Sequence, residues 1–187
     1  MVEQLKILDR ELLIYLNGLG SKPYDGFWLF ITNQLHWTPF FLFLIYLVYK
    51  KLGAKQTGYI VLLVAVLILM TDQTCNLFKN HFQRLRPCNT PDLQGIIRIV
   101  KTSSSYSFFS GHAANTTAVA VFLIALLKKH IKYSYVLLIW PLVFSYSRIY
   151  LGLHYPIDLL TGYFFGSVFS IATYQFYNFL IKKHPLV

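Results

Sequence analysis

Lys79, Arg86, Arg148, His112, His154 and Asp158 place three cations, two imidazoles and one carboxylate in a chain of 187 residues of which only 13% are charged. They fall in three stretches: Lys79 with Arg86-Pro87, then Ser110-Gly111-His112, then Ser147-Arg148 followed by His154 and Asp158. A phosphate ester at neutral pH needs such a set. It requires donors that neutralise nearly two negative charges, a nucleophile in line behind the phosphorus, and an acid for the departing oxygen. Ionisable groups are costly in apolar surroundings, so their clustering marks a functional site.

Each stretch has its own local logic. Pro87 discourages a helix from continuing past Arg86. Ser110 suits a helix N-cap, Gly111 lets backbone approach a ligand, and the free amides of a helix start attract anions. Pro156 fits the first turn of a last helix, and Asp158 in that turn is within reach of His154. That hydrogen bond would fix the tautomer of His154 and leave its other ring nitrogen free to attack. Taken singly, the first stretch, with Arg84 in it, also reads as a basic membrane flank, and the second as an ordinary capped helix start. The third brings arginine, histidine and aspartate to one helix start.

The elements that must position these groups are membrane helices, since 56% of the residues are hydrophobic and 18% aromatic. Apolar runs predict five crossings, near Phe27 to Tyr49, Gly58 to Phe78, Ala113 to Leu127, Tyr133 to Tyr150 and Ile157 to Ile181. Asn33, Gln34, His36 and Pro39 interrupt the front half of the first. Upstream, Leu5, Leu8, Leu12 and Leu16 recur at helical spacing opposite Lys6, Asp9 and Arg10, which predicts an amphipathic helix lying on the membrane. The expectation is an all-α, polytopic transmembrane bundle, one domain over 1–187, without a removable signal peptide. The formal charge of +10 does not indicate nucleic acid, because it is clustered: Lys50, Lys51 and Lys55, then Lys128, Lys129 and Lys132, then Lys182 and Lys183 follow alternate crossings. Positive flanks face the cytosol, which puts the phosphate-binding stretches on the extracytoplasmic side. Cys75 and Cys88 have no zinc spacing, and no disulfide is expected between them.

Joined in order, the stretches resemble the type 2 phosphatidic acid phosphatase (PAP2) superfamily of membrane lipid phosphatases, with its signature Lys-x6-Arg-Pro, Pro-Ser-Gly-His and Ser-Arg-x5-His-x3-Asp. Only Phe109, in place of the second proline, departs from it. The resemblance implies a helical bundle and a two-step transfer without metal or cofactor. In it Lys79, Arg86, Arg148, Ser110 and Gly111 hold the phosphate, His154 forms a phosphohistidine oriented by Asp158, and His112 protonates the leaving group and then activates water. The expected partner is a lipid phosphate in the bilayer of a bacterial inner membrane: polyprenyl pyrophosphate, phosphatidylglycerophosphate, phosphatidic acid or a lipid A phosphate. Tyr106, Phe108, Phe109 and Tyr155 read as interfacial anchors or a lipid wedge. A vanadium haloperoxidase shares the signature but is soluble. A non-catalytic lipid-binding or lipid-transporting protein would not require an aligned nucleophile and acid.

Overall fold

The computed structural model describes residues 2–183, apart from the side chains of Val2 and Lys183, and all regular structure among them is helical. The domain expectation over 1–187 and the Lys183 side chain thus reach outside the described residues. Six α-helices run in order: α1 (Val2–Gly18), α2 (Asp25–Ile31), α3 (Thr38–Phe82), α4 (Gly111–Leu127), α5 (Ile139–Tyr150) and α6 (Pro156–Lys183). Short 3-10 turns link several of them. Among the described residues one stretch, Gln34–Leu93, is long and apolar enough to cross a membrane, its most apolar 18-residue window having a mean hydropathy of 1.9; α4 is apolar but shorter.

The 45 residues of α3 do not form one rod, which would be about 68 Å long. Gly53 sits at φ 83°, ψ 170°, a conformation that suits glycine and breaks the helix. Phe41, Leu44 and Val48 before it line the same cavity as Ile60, Val64 and Ile68 after it, so the chain folds back at Gly53. The front half of the first expected crossing is separate: α2 ends at Ile31, Asn33 Oδ1 accepts from the Leu35 amide at 3.1 Å, and α3 restarts with Pro39 in its first turn. Trp28 of α2 packs instead on Tyr146 and Tyr150 of α5, with ring centroids 5.0 and 5.3 Å apart.

The expected crossing at Tyr133 to Tyr150 is likewise composite, a 3-10 turn over Ser134–Leu138 followed by the 12 residues of α5. Pro141 explains the late start, since its ring would clash with the carbonyl of Leu137 in a longer α-helix. At the centre, α4 and α6 meet backbone to backbone. A Cβ on Gly162 would stand 2.8 Å from the Ser110 carbonyl oxygen, and one on Gly166 would stand 2.4 Å from that of Ala114. Glycines four residues apart give α6 the smooth face that such close approach requires. Ala118, Phe122, Leu123, Trp140, Phe144 and Tyr177 fill the core around the pair.

The N-terminal helix forms as expected, but Asp9 of its polar side faces inward while Lys6 stays exposed. Leu5, Leu8 and Leu12 are 50%, 60% and 46% exposed, whereas Asp9, Leu13 and Asn17 are buried. The reason is polar pairing. Asn17 Nδ2 donates to the carbonyls of Arg98, Ile149 and Tyr150 at 3.0 Å each, and its Oδ1 accepts from the Arg98 amide at 2.7 Å. Asp9 finds its partners beside the phosphate-binding stretches.

Candidate active site

Pro156 opens α6 as the sequence indicates, with Asp158 in its first turn and fully buried. The Asp158 carboxylate is surrounded by donors: Oδ2 accepts from His154 Nδ1 at 3.2 Å, from the Tyr155 amide at 2.9 Å and from the Ser107 hydroxyl, while Oδ1 accepts from Arg84 Nη1 at 3.0 Å. An ionised carboxylate only accepts, so Nδ1 of a neutral His154 carries the proton and Nε2 the lone pair. Arg86 Nη1 donates to that Nε2 at 3.0 Å. His154 lies in the turn between α5 and α6, where burial, followed by the charges of Arg86, Arg148 and Lys79, holds its pKa well below the ordinary imidazole value. The ring is therefore kept as a free base among three cations.

Those cations are built in. Arg86 is buried and braced by the Ser105 carbonyl at 2.8 Å, the Ser105 hydroxyl at 2.9 Å and the Leu153 carbonyl at 3.0 Å. Arg148, also buried, donates through Nη1 to the Thr32 hydroxyl, and its Nε has no hydrogen-bond partner among the described residues. Lys79, Gly111 and His112 line one cavity of about 470 Å³, whose deeper walls are apolar side chains of α3, α4 and α5. His112 stacks on Phe144 with centroids 5.5 Å apart, and Arg148, His154, Lys79 and Arg86 all act electrostatically on its ring. Ser110 caps α4, its Oγ accepting from the Ala113 amide at 3.4 Å, and its own amide donates to the Asp158 carbonyl at 3.0 Å. The unpaired amides of the first turn of α4 start beside it. The structure thus gathers all eight expected residues, Lys79, Arg86, Ser110, Gly111, His112, Arg148, His154 and Asp158, at one end of the bundle. Such a set can hold a tetrahedral anion, attack it, and deliver a proton.

Three further residues complete the site. Arg84, which by sequence was indistinguishable from a basic flank, bridges two carboxylates, donating to Asp158 and through Nη2 to Asp9 Oδ2 at 2.7 Å. Its guanidinium also lies 3.7 Å from the centre of the Tyr155 ring. Asp9 Oδ1 accepts from the Ile157 amide at 2.8 Å, so α1 holds the start of α6. Burial pushes the pKa of Asp9 up, and the bonds from Ile157 and Arg84 pull it back. Ser107 is the third. Its only signal in the sequence was the polar run before Ser110. Phe109 and Tyr155 are not surface anchors: Phe109 is buried and stacked on Phe165 at 4.9 Å, and Tyr155 is buried beneath Arg84. Cys75 and Cys88 are free thiols, Cys75 donating to the Phe109 carbonyl at 3.0 Å.

The pattern of the PAP2 superfamily matches residues 57–182, and the chain belongs to that superfamily of lipid phosphatases. It is 35% identical over 170 residues to the lipid A 4'-phosphatase of Bacteroides thetaiotaomicron, the match covering 89% of this chain and 75% of the relative. It is 31% identical over 182 residues to that of Porphyromonas gingivalis, with 94% and 75% covered. Its fold is that of the transmembrane PAP2-type phosphatidylglycerolphosphate phosphatase of Bacillus subtilis, with a TM-score of 0.71 at 17% identity over 98% of this chain and 89% of the other.

Proposed function

We propose that the chain removes phosphate from a lipid in the bacterial inner membrane through a phosphohistidine on His154, with a lipid A phosphate as the substrate that the similarities favour. The observation that carries this reading is the buried His154 ring, with Nδ1 against Asp158 and Nε2 against Arg86. Lys79, Arg86, Arg148 and the amides of the α4 start bind the phosphate oxygens, the Ser110 cap fixing those amides. His154 Nε2 attacks the phosphorus, the bond to the lipid oxygen breaks, and His112 gives that oxygen its proton. Asp158 stabilises the positive ring that results. His112 then takes a proton from water, the hydroxide attacks phosphorus, the N–P bond breaks, and inorganic phosphate leaves. The three cations neutralise the charge that a metal would otherwise cover, so turnover should persist in EDTA.

Five crossings with the site facing outward complete the proposal. Its support is that the lysine-rich end is a separate end of the bundle. Tyr177 Oη donates to Gln56 Oε1 at 2.9 Å, and Lys128 lies 6.0 Å from the centre of the Tyr174 ring. Along α6, Tyr177 stands 19 residues, about 28 Å, beyond Asp158, close to the thickness of a hydrocarbon core. The exposed apolar stripe of α1 then lies at the outer interface. In a Cys75→Ser/Cys88→Ser background, an impermeant thiol reagent should label a cysteine at Asn89 from outside and one at Lys129 only from the cytosol. The reverse pattern would refute the orientation.

Release of phosphate by purified protein across a panel of lipid phosphates tests the activity. Rapid quench into alkaline detergent with a radiolabelled substrate, followed by a test of acid lability, tests the nucleophile. His154→Ala should trap no label. His112→Ala should form phosphoenzyme from an activated aryl phosphate with a much smaller defect than from a lipid phosphate, and then accumulate it because its hydrolysis is slowed. Acid-labile label on His154→Ala would overturn the assignment.

A further inference from the structure

Below Lys79 on α3, in the short polar run Thr71-Asp72-Gln73-Thr74 that interrupts the apolar helix, one carboxylate has no role in the mechanism. Asp72 lines the cavity, seven residues and so about 10 Å along the helix from Lys79. On the facing wall Asn115 stands one turn below His112, and its Nδ2 donates to Asp72 Oδ1 at 2.8 Å. A carboxylate only accepts, so Asn115 turns Nδ2 to Asp72 and its Oδ1 to the Thr71 hydroxyl, whose single hydrogen is shared with the Leu67 and Ile68 carbonyls. A methyl at Gly111 would stand 3.8 Å from the same Asp72 oxygen, so the carboxylate sits directly under the start of α4. Asp72 forms no ion pair among the described residues, and the second carboxylate oxygen, Oδ2, accepts no hydrogen bond from them.

A carboxylate on a largely apolar wall is expensive unless its oxygens are matched by donors. Asn115 satisfies one oxygen and cannot serve the other. We infer that Asp72 and Asn115 form a headgroup subsite that takes a lipid phosphate bearing a hydroxyl, amide N–H or ammonium donor within one sugar or backbone unit of the phosphorus. The inference rests on the lipid phosphatase reading and deepens it. A lipid whose phosphate-bearing unit offers only ester or ether oxygens meets acceptor against acceptor there. The apolar walls beyond, from Ile68 and Val119 to Leu44 and Leu123, take the chain that follows.

The test uses two substrates of matched chain length in mixed micelles: ceramide 1-phosphate, with an amide N–H and a hydroxyl beside the phosphate, and phosphatidic acid, with neither. Wild type should show a kcat/KM at least about tenfold higher on ceramide 1-phosphate, the worth of one hydrogen bond to a charged group. Asp72→Asn keeps an acceptor for Asn115 but turns the other oxygen into a donor. It should lose that preference, its kcat/KM falling on ceramide 1-phosphate and holding or rising on phosphatidic acid, whose ester oxygens then meet a donor. An unchanged ratio in the variant, or an equal fall on both substrates, overturns the subsite. The wild-type ratio needs no variant: equal kcat/KM on the two lipids overturns the subsite while leaving the phosphatase intact, phosphate from lipid A but from neither of these also overturns the subsite alone, and no phosphate from any of the three overturns both.

Discussion

Removing the cation that bridges Asp9 and Asp158 should weaken catalysis by an amount that the geometry sets. Arg84→Gln keeps the stem but loses two charge-assisted contacts, 3.0 Å to Asp158 and 2.7 Å to Asp9. A hydrogen bond to a charged group contributes about 1.5–3 kcal/mol, and the 28% exposure of the Arg84 side chain argues for the lower part of that range. Asp158 keeps its bonds from His154, Tyr155 and Ser107, so the ring stays oriented and one contact's worth of control is lost. The expected fall in kcat/KM is thus about 10- to 30-fold, or about 1.4–2 kcal/mol. Asp9→Asn leaves an acceptor for the Ile157 amide and acts on Asp158 only through Arg84, so it should cost about threefold. Because both act through one chain of contacts, the double variant should be no slower than Arg84→Gln alone. Steady-state kinetics on the four proteins, with thermal unfolding in detergent as a control for folding, measures this. Multiplying effects would show that Asp9 acts by some path other than Arg84, and a normal rate for Arg84→Gln would remove Arg84 from the site.

Arg148→Lys keeps the charge but not the fork that serves Thr32 and phosphate together, and should lower kcat/KM by about 10- to 100-fold with the unfolding temperature little changed. Since a depressed pKa keeps His154 in its reactive neutral form as pH falls, the acid limb of kcat/KM should lie below the ordinary imidazole range. It should move upward in Arg148→Gln, measured on the same substrate so that the substrate's own ionisation cancels. Gly166→Leu drives a side chain into the Ala114 carbonyl and should lower the unfolding temperature sharply or prevent folding, read by thermal scanning in detergent.

What could be read from the chain alone was whatever local spacing carries. The three motif stretches, the N-cap at Ser110, Pro156 at the head of α6 and the reach from Asp158 to His154 all depend on residues a few positions apart, and the structure has each of them. Asp9, Arg84 and Ser107 were hidden because their meaning is a partner far along the chain: Arg84 meets Asp9 across 75 positions and Asp158 across 74. A stripe count on α1 finds the leucines and assigns the remaining side to water, yet buried carbonyls and a guanidinium attract Asp9 and Asn17 more strongly than a leucine face attracts the bundle. The break at Gly53 falls in the gap between the first two expected crossings, but hydropathy registered neither the separate α2 nor Pro141 as a stop.

The glycine contact between α4 and α6 has a consequence for how such an enzyme can change. His112 stands at the head of one helix, His154 and Asp158 at the head of the other, and the two heads are tied by the bond from the Ser110 amide to the Asp158 carbonyl as well as by Gly162 beneath them. The spacing of the two imidazoles is therefore set by the backbones of a closely packed helix pair and the turn that leads into the second of them. The opposite wall, α3 with Asp72 and Lys79, belongs to a different piece of chain. Drift on that wall can retune which lipid is admitted while the reaction itself is inherited unaltered, so one scaffold can diversify over many membrane lipids without reinventing its chemistry.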